Sequence, residues 1–160
     1  TNQPRMTIKI LSYHPSQYKA IADIFHAAVH AIDNKIYSET QQEAWAPTPP
    51  DYDFWHKKLA VSRPFVAMDK DRVIAFAELE SDGHIDCFYV APDYQGQGVA
   101  SRLYRHLENN ARERDMTKLF VEASHLIKPL FLSWGFGIQN QNRIRRNDET
   151  LCSFSMIKNL

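Results

Sequence analysis

Three strand-like runs follow one another in the middle of the chain, and the gaps between them are only a few residues long. The runs are PFVAM (64–68), VIAFAELE (73–80) and HIDCFYV (84–90). They are rich in β-branched and aromatic residues, while the gaps DKDR and SDG are turn-rich and of hairpin length. This pattern predicts three consecutive antiparallel strands, a β-meander.

Helical periodicity surrounds the meander. A strand-like run, TIKIL (7–11), precedes a segment whose apolar residues recur at helical spacing: Ile21, Ile24, Phe25, Ala28, Val29 and Ile32. Ser38, with Gln41 three residues later, forms a capping-box pattern, and prolines at 47, 49 and 50 end that second helix. A third short helix is predicted to start at Asp51.

The second half of the chain alternates again between helix and strand. A long amphipathic helix is marked by Val99, Leu103, Leu107 and Ala111. KLFVEAS (118–124) is a predicted strand, IKPLFLSW a short helix, and FGIQNQNRI with TLCSFSMI a closing hairpin. The order β-α-α-α-β-β-β-α-β-α-β-β predicts an α/β (α+β) fold with a mixed, largely antiparallel central sheet and helices on both faces.

Composition limits the classes of partner. A chain of 160 residues with 44% hydrophobic content is expected to form a single domain, residues 1–160, in which residues 1–5 could be a cloning remnant. Nineteen basic and nineteen acidic residues balance, so nothing favours nucleic acid or an anionic membrane, and a small-molecule partner is expected. Cys87 and Cys152 lack CxxC spacing, which predicts buried free thiols and no metal. With no apolar run of about 18 residues and no leader, we expect a cytoplasmic protein.

Two of the five glycines, Gly96 and Gly98, lie one residue apart in YVAPDYQGQGVASRL, between a strand and a helix. A glycine-rich entry to a helix N-terminus can bind an anion through backbone N–H groups, although a tight turn would also explain the pair. A P-loop is excluded because no GK[ST] follows. A dinucleotide fingerprint with Ser101 in its third position would belong to a nucleotide-binding oxidoreductase. It fits less well, because that motif opens the first βα turn of a parallel sheet.

The wider string Gln95-Gly96-Gln97-Gly98-Val99-Ala100 resembles the Q/R-x-x-G-x-G/A signature of the GNAT superfamily of acyl-CoA-dependent N-acetyltransferases. HIDCFYVAPDYQGQGVASRLY is similar to that family's central strand, turn and helix, and EASHLIKPLFLSWGF to its next strand and short helix. The helical insertion with AW at 44–45 and the GHID start of the strand are similar to the YafP-type branch. Together the matches span residues 7 to 157.

The resemblance implies acetyl-CoA as cosubstrate and assigns residues to it. The loop N–H groups from Gln95 to Ala100 would hold the pyrophosphate, and the Ser101 hydroxyl could add a hydrogen bond. The main chain at Phe88 and Val90 would pair with the pantetheine arm, and a bulge N–H on this strand would stabilise the oxyanion.

The resemblance also suggests which groups move protons. Relatives can carry a base or relay eleven and nine residues before the signature's first residue, which here gives His84 and Asp86. Strand alternation predicts that both share a face with Phe88. His84 could instead cap the hairpin, and Asp86 could pair with a neighbouring cation. Glu78 is an alternative base, and so are two further acids on these strands, Glu80 and Glu122.

The implied reaction is direct transfer of an acetyl group from acetyl-CoA to a primary amine on a small molecule or peptide. Polyamine, amino acid, drug, peptide N-terminus and lysine all stay open, as does oligomeric state. Four aromatic residues cluster in the insertion, namely Tyr37, Trp45, Tyr52 and Trp55. Such rings could bind a flat or cationic acceptor, and core packing is the expected role for at least half of them. Phe131 replaces the tyrosine that relatives often use as general acid, so its ring is expected to wall the thioester. A CoA-binding sensor with a degenerate site is the alternative.

Overall fold

One seven-stranded sheet runs through residues 7–160, the part of the chain that the computed structural model describes; residues 1–5, the predicted remnant, lie outside it. In spatial order the strands are β1, β2, β3, β4, β5, β7 and β6. Every neighbouring pair is antiparallel except β4 and β5. Their bounds are β1 Ile8–Ser12, β2 Phe65–Asp69, β3 Arg72–Leu79, β4 His84–Val90, β5 Lys118–Ala123, β6 Gly137–Arg146 and β7 Glu149–Asn159. The predicted meander is β2 to β4.

Five α-helices connect these strands within residues 7–160, and the starts of α2 and α3 follow the sequence signals. They are α1 Tyr18–His30, α2 Glu39–Trp45, α3 Tyr52–Ser62, α4 Val99–Glu113 and α5 Lys128–Ser133. The Ser38 side chain accepts from the Gln41 N–H while the Gln41 side chain accepts from the Ser38 N–H, so the predicted capping box forms. The Asp51 carboxylate likewise caps α3 by accepting from the Phe54 N–H.

Helices cover both faces of the sheet, which confirms the predicted fold class. On one face, α4 buries Leu103, Leu107 and Ala111 against residues of β3, β4 and β5. On the other face, α1 and α3 bury a second cluster around Trp55 and Phe76. The sheet is therefore desolvated on both sides near its centre, and polar groups there need partners.

A bulge in β4 makes one prediction about its faces wrong. Ala77 pairs with Phe88 and Leu79 with Ile85, so two residues of β4, 86 and 87, lie opposite Glu78 alone. The extra residue shifts the alternation. Phe88 therefore packs with Ile85 in the cluster under α4, whereas Asp86 bonds to a side chain of α3 on the opposite face.

The parallel pairing of β4 with β5 is short. It is limited to two residue pairs, His84 with Phe120 and Ile85 with Val121. Beyond Ile85 the two strands diverge, and an opening forms in the middle of the sheet. This split leaves the end of β4 without a paired strand on the side of β5.

Candidate active site

The glycine loop ends where α4 begins, and both of its glycines adopt a left-handed backbone. Gly96 has φ +75° and Gly98 has φ +82°, values that favour glycine over any residue with a Cβ. A Cβ at either position would meet no atom within 4 Å. The turn alone thus accounts for two glycines, and the space above them is open to a ligand.

A cavity of about 190 Å³ lies beside this loop and is called the loop cavity here. Seven of the residues predicted to bind the cofactor line it: Phe88, Val90, Gln95, Gly96, Gly98, Ala100 and Ser101. Gln97 and Val99 do not. Gln97 Nε2 donates to the Asp93 carbonyl at 2.9 Å, and the Val99 side chain is buried in the core.

The end of β4 presents main-chain groups to the split. The Ala91 N–H donates to Ile74 of β3, and successive strand residues direct their backbone groups to opposite edges. Val90 and Phe88 therefore direct theirs toward the open side. The Gln95 side chain donates to the Val90 carbonyl at 3.2 Å, which ties the loop to this strand end.

A second cavity, of about 350 Å³, lies on the other side of the split and is called the carboxylate cavity. Its polar wall includes His84, Asp86 and Glu122, and Tyr37 and Trp45 form part of its aromatic wall. A chamber of about 40 Å³, the junction chamber, shares Tyr89 with both larger cavities. The junction chamber shares three further lining residues with the loop cavity, one of which is Phe88. It shares four further lining residues with the carboxylate cavity, among them Asp86 and Glu122. The three spaces adjoin one another at the split of the sheet and are together called the passage.

His84 is held between two carboxylates. Its Nδ1 lies 2.5 Å from Glu80 Oε1, its Nε2 lies 2.5 Å from Glu122 Oε2, and its ring stacks on Phe120. Burial lowers the pKa of His84, but the hydrogen bonds to Glu122 and Glu80 outweigh it and raise the pKa above its ordinary value. The two glutamates thus stabilise the protonated imidazole, and Asp86 is not one of its hydrogen-bond partners.

Lys58 of α3 forms ion pairs with the other two predicted acids. Its Nζ lies 2.8 Å from Glu78 Oε2 and 2.5 Å from Asp86 Oδ2. Burial lowers the pKa of Lys58, but the Cys87 sulfur and the hydrogen bonds to Asp86 and Glu78 outweigh it and raise the pKa above its ordinary range. Sequence reasoning missed this lysine, although an acid within an apolar strand is a signal that a counter-charge exists.

Asp86 and Glu78 differ in their access to the passage. Asp86 lines both the carboxylate cavity and the junction chamber. Glu78 is 1% exposed and belongs to the lining of none of the three spaces, and its Oε1 has no hydrogen-bond partner within the described chain. Of the two, Asp86 is placed to meet a ligand.

The predicted aromatic residues divide between cavity and core. Trp45 borders the carboxylate cavity and the junction chamber. The Tyr37 hydroxyl donates to the Cys152 carbonyl at 2.8 Å, so this ring is fixed. Trp55 packs on Phe25 and Phe76 in the core and borders an adjoining depression.

Phe131 packs in an aromatic cluster beneath the junction chamber. It is fully buried, and its ring contacts those of Phe88, Tyr104, Trp134 and Phe136. It also contributes to the lining of the chamber. Phe131 therefore forms part of the wall of the passage, and most of its ring lies inside the core.

Three groups of side chains in residues 7–160 bring possible metal ligands within 4.8 Å of one another. Two of these groups include acids already described. One contains Glu78, Asp86 and Cys87, and the other contains Glu80, His84 and Asp86. The third joins His26, His30 and Glu43 on α1 and α2. Cys87 and Cys152 are free thiols that are half-buried, not fully buried as predicted.

One wide depression lies away from this passage. The largest depression, of about 1190 Å³, lies between α1 and the β2–β3 turn and contains none of the predicted site residues. Among the helices of residues 7–160, none combines the length and the apolar character needed to cross a membrane.

Comparison with known proteins gives a consistent picture. Residues 34–158 match the family model described as an acetyltransferase (GNAT) domain. The chain is 32% identical over 149 residues to the uncharacterized N-acetyltransferase YafP of Escherichia coli (strain K12), covering 93% of this chain and 94% of that protein.

Solved structures agree. A GCN5-related N-acetyltransferase from Rhodopseudomonas palustris, described as an aminotransferase, class II, superimposes with a TM-score of 0.90 at 31% identity, over 99% of this chain and 100% of that one. The PaiA N-acetyltransferase of Thermoplasma acidophilum, solved in complex with coenzyme A, has a TM-score of 0.78 at 14% identity, over 97% and 100% of the chains. The latter likeness concerns the fold.

Proposed function

Because the chain belongs to the GNAT family of acyl-CoA-dependent N-acetyltransferases, we propose that it transfers an acetyl group from acetyl-CoA directly to a primary amine. The observation that supports this most is the passage at the split of the sheet. The loop cavity lies on one side, beside the loop predicted to bind the cofactor, and the carboxylate cavity opens on the other. The two reactants would meet at the junction chamber without leaving the protein.

Acetyl-CoA is assigned to the loop side. Its pyrophosphate would lie over Gly96 and Gly98, where the open space and the N-terminus of α4 favour an anion. The main-chain groups of Phe88 and Val90 would pair with the pantetheine arm. This brings the thioester to the split, where an N–H of β4 would stabilise the oxyanion.

The amine is assigned to the carboxylate cavity. An alkylamine with a pKa of about 10 enters mostly protonated and must lose a proton before its nitrogen attacks. Glu122 lines both this cavity and the junction chamber, so we assign it the role of proton acceptor. His84 lies between Glu122 and Glu80 and orients the Glu122 carboxylate. It can also relay a proton outward to solvent, because the Glu80 side chain is 54% exposed.

The other two predicted acids take supporting roles. Asp86 lines the same two spaces and would attract the incoming ammonium group. Glu78 would hold Lys58, which in turn positions Asp86. After attack, the carbon–sulfur bond breaks and the thiolate takes a proton from water or from the ammonium that the attack produces. A thiol of pKa about 8.5 needs only weak assistance, which accommodates Phe131 in place of a tyrosine.

The test is CoA thiol release from acetyl-CoA in the presence of an amine library, with mass spectrometry of the product. Glu122→Gln should lower kcat by about 100-fold or more and leave the KM for acetyl-CoA unchanged, since general bases contribute factors of this order. Glu113→Gln, an exposed change at the end of α4, is the matched control. The proposed chemistry uses no metal, so turnover should survive a chelator. Binding of acetyl-CoA with no turnover of any amine would favour a CoA-binding sensor instead.

A further inference from the structure

The carboxylate cavity does not end at its acidic wall. It adjoins a wider depression of about 690 Å³, the outer cavity, and three residues line both: Trp45, Ile144 and Arg146. Trp45 is the last residue of α2, whereas Ile144 and Arg146 belong to the end of β6. The space available to an acceptor therefore continues past the amine site and under the tip of the β6–β7 hairpin.

Charge divides this space into two ends. Asp86 and Glu122 lie at the end next to the junction chamber. Arg146 lies where this space meets the outer cavity, which neither carboxylate lines, and its charge opposes the rise in pKa that burial causes at the Tyr89 hydroxyl. A guanidinium stays charged at all working pH values and binds planar oxyanions through paired donors.

Arg146 has no carboxylate partner among residues 7–160. The neighbouring Arg145 makes the ion pair of this hairpin, with Asp148 at 3.8 Å. Asp51 also lines the outer cavity, but its carboxylate caps α3. Glu149 lies opposite Arg146 in the strand register without forming an ion pair with it. The donors of Arg146 are available to a ligand.

Apolar surface continues from Arg146 into the outer cavity. Trp45 stands in the shared wall, and the rings of Phe25, Phe54 and Trp55 line the outer cavity with two prolines. These rings can cover the carbon body of an acceptor, while a second ammonium group at this end would face Arg146 and be repelled.

We propose that the acceptor is a primary amine whose far end carries a carboxylate or another oxyanion, bound by Arg146, with its carbon body against Trp45. This inference rests on the proposed function and narrows its substrate class. Amino acids with a distant amine, short acidic peptides and anionic aromatic amines share this chemistry. Polyamines, which present a cation at both ends, do not.

The test compares acceptors that differ only at the far end. A rigid series consists of para-aminomethylbenzoate, para-methylbenzylamine and para-xylylenediamine. A flexible series consists of ε-aminocaproate, hexylamine and hexamethylenediamine. In at least one series, the amine that carries the carboxylate should have a kcat/KM at least tenfold higher than the neutral amine, which corresponds to about 1.4 kcal/mol. The diamine should have the lowest kcat/KM of the three.

Variants of β6 then assign the preference to one side chain. Arg146→Gln should reduce the advantage of the carboxylate acceptor over the neutral amine to less than about threefold, and Arg146→Glu should turn the preference toward the diamine. Arg143→Gln is the matched control, because Arg143 is exposed on the same strand and lines neither cavity.

Failure of the inference and failure of the proposed function give different results. Turnover of the amines with no preference for the carboxylate, or best use of the diamine, overturns the inference and leaves acetyl transfer intact. If no amine is turned over, the proposed function fails, and calorimetry decides the inference. The two carboxylates should then bind the wild type at least tenfold more tightly than Arg146→Gln, and equal binding overturns it.

Discussion

Replacing Lys58 by methionine tests whether the ion pairs under β4 are required at the site. Methionine keeps most of the apolar stem, so the change removes the charge from the contacts with Glu78 and Asp86. Glu78 is 1% exposed and would keep a buried negative charge without a counter-charge. Asp86 is 38% exposed and can be solvated.

The magnitude follows from this burial. Removing one partner of a fully buried ion pair costs about 3–5 kcal/mol. The Lys58 side chain is 23% exposed, so some water can reach the site, and we expect Lys58→Met to lower the free energy of unfolding by about 2–4 kcal/mol at neutral pH. With a urea dependence of roughly 2 kcal/mol per molar, the midpoint should fall by roughly 1–2 M.

Urea unfolding followed by tryptophan fluorescence and by circular dichroism measures this loss. Adding Glu78→Gln to Lys58→Met should restore much of the stability, because the buried charge is then gone. Lys57→Met, on the exposed side of α3, is the control. A loss below about 1 kcal/mol, or no rescue by the second change, would refute the role given to this cluster.

Three further outcomes are expected. Gly98→Val should weaken CoA binding more than tenfold in calorimetry while the protein stays folded, because its φ of +82° disfavours a branched residue, whereas Gln97→Ala should change binding little; equal effects contradict backbone recognition. The raised pKa of His84 means that its contribution to stability is present below the unfolded-state value of about 6.5 and is lost as pH rises through the higher folded value. His84→Gln should therefore cost more stability near pH 6 than near pH 9 in urea titrations, and a pH-independent cost argues against the two carboxylate contacts. Phe131→Tyr should change kcat by less than about tenfold, whereas Phe131→Ala, which empties a fully buried site, should cost about 3–5 kcal/mol of stability and impair acetyl-CoA use. A hundredfold gain for the tyrosine variant would show that thiolate departure limits the native enzyme.

The sequence by itself determined the features that depend on neighbours along the chain. Helix and strand periods, the capping box at Ser38 and the glycine loop before α4 are all local, because propensity, capping and backbone conformation act over a few residues. The motif around Gln95 was equally readable, and with it the family. The order of elements was therefore enough to predict the mixed sheet with helices on both faces.

Only the tertiary structure decided which charges meet. Lys58 reaches Asp86 from 28 positions away, and His84 reaches Glu122 across 38, contacts that no local pattern encodes. The bulge opposite Glu78 added a residue to β4 and moved Phe88 to the other face, which strict alternation cannot foresee. Arg146 had no motif to mark it. Its place in the carboxylate cavity results from the packing of the β6–β7 hairpin beside α2, an arrangement set by contacts distant in sequence.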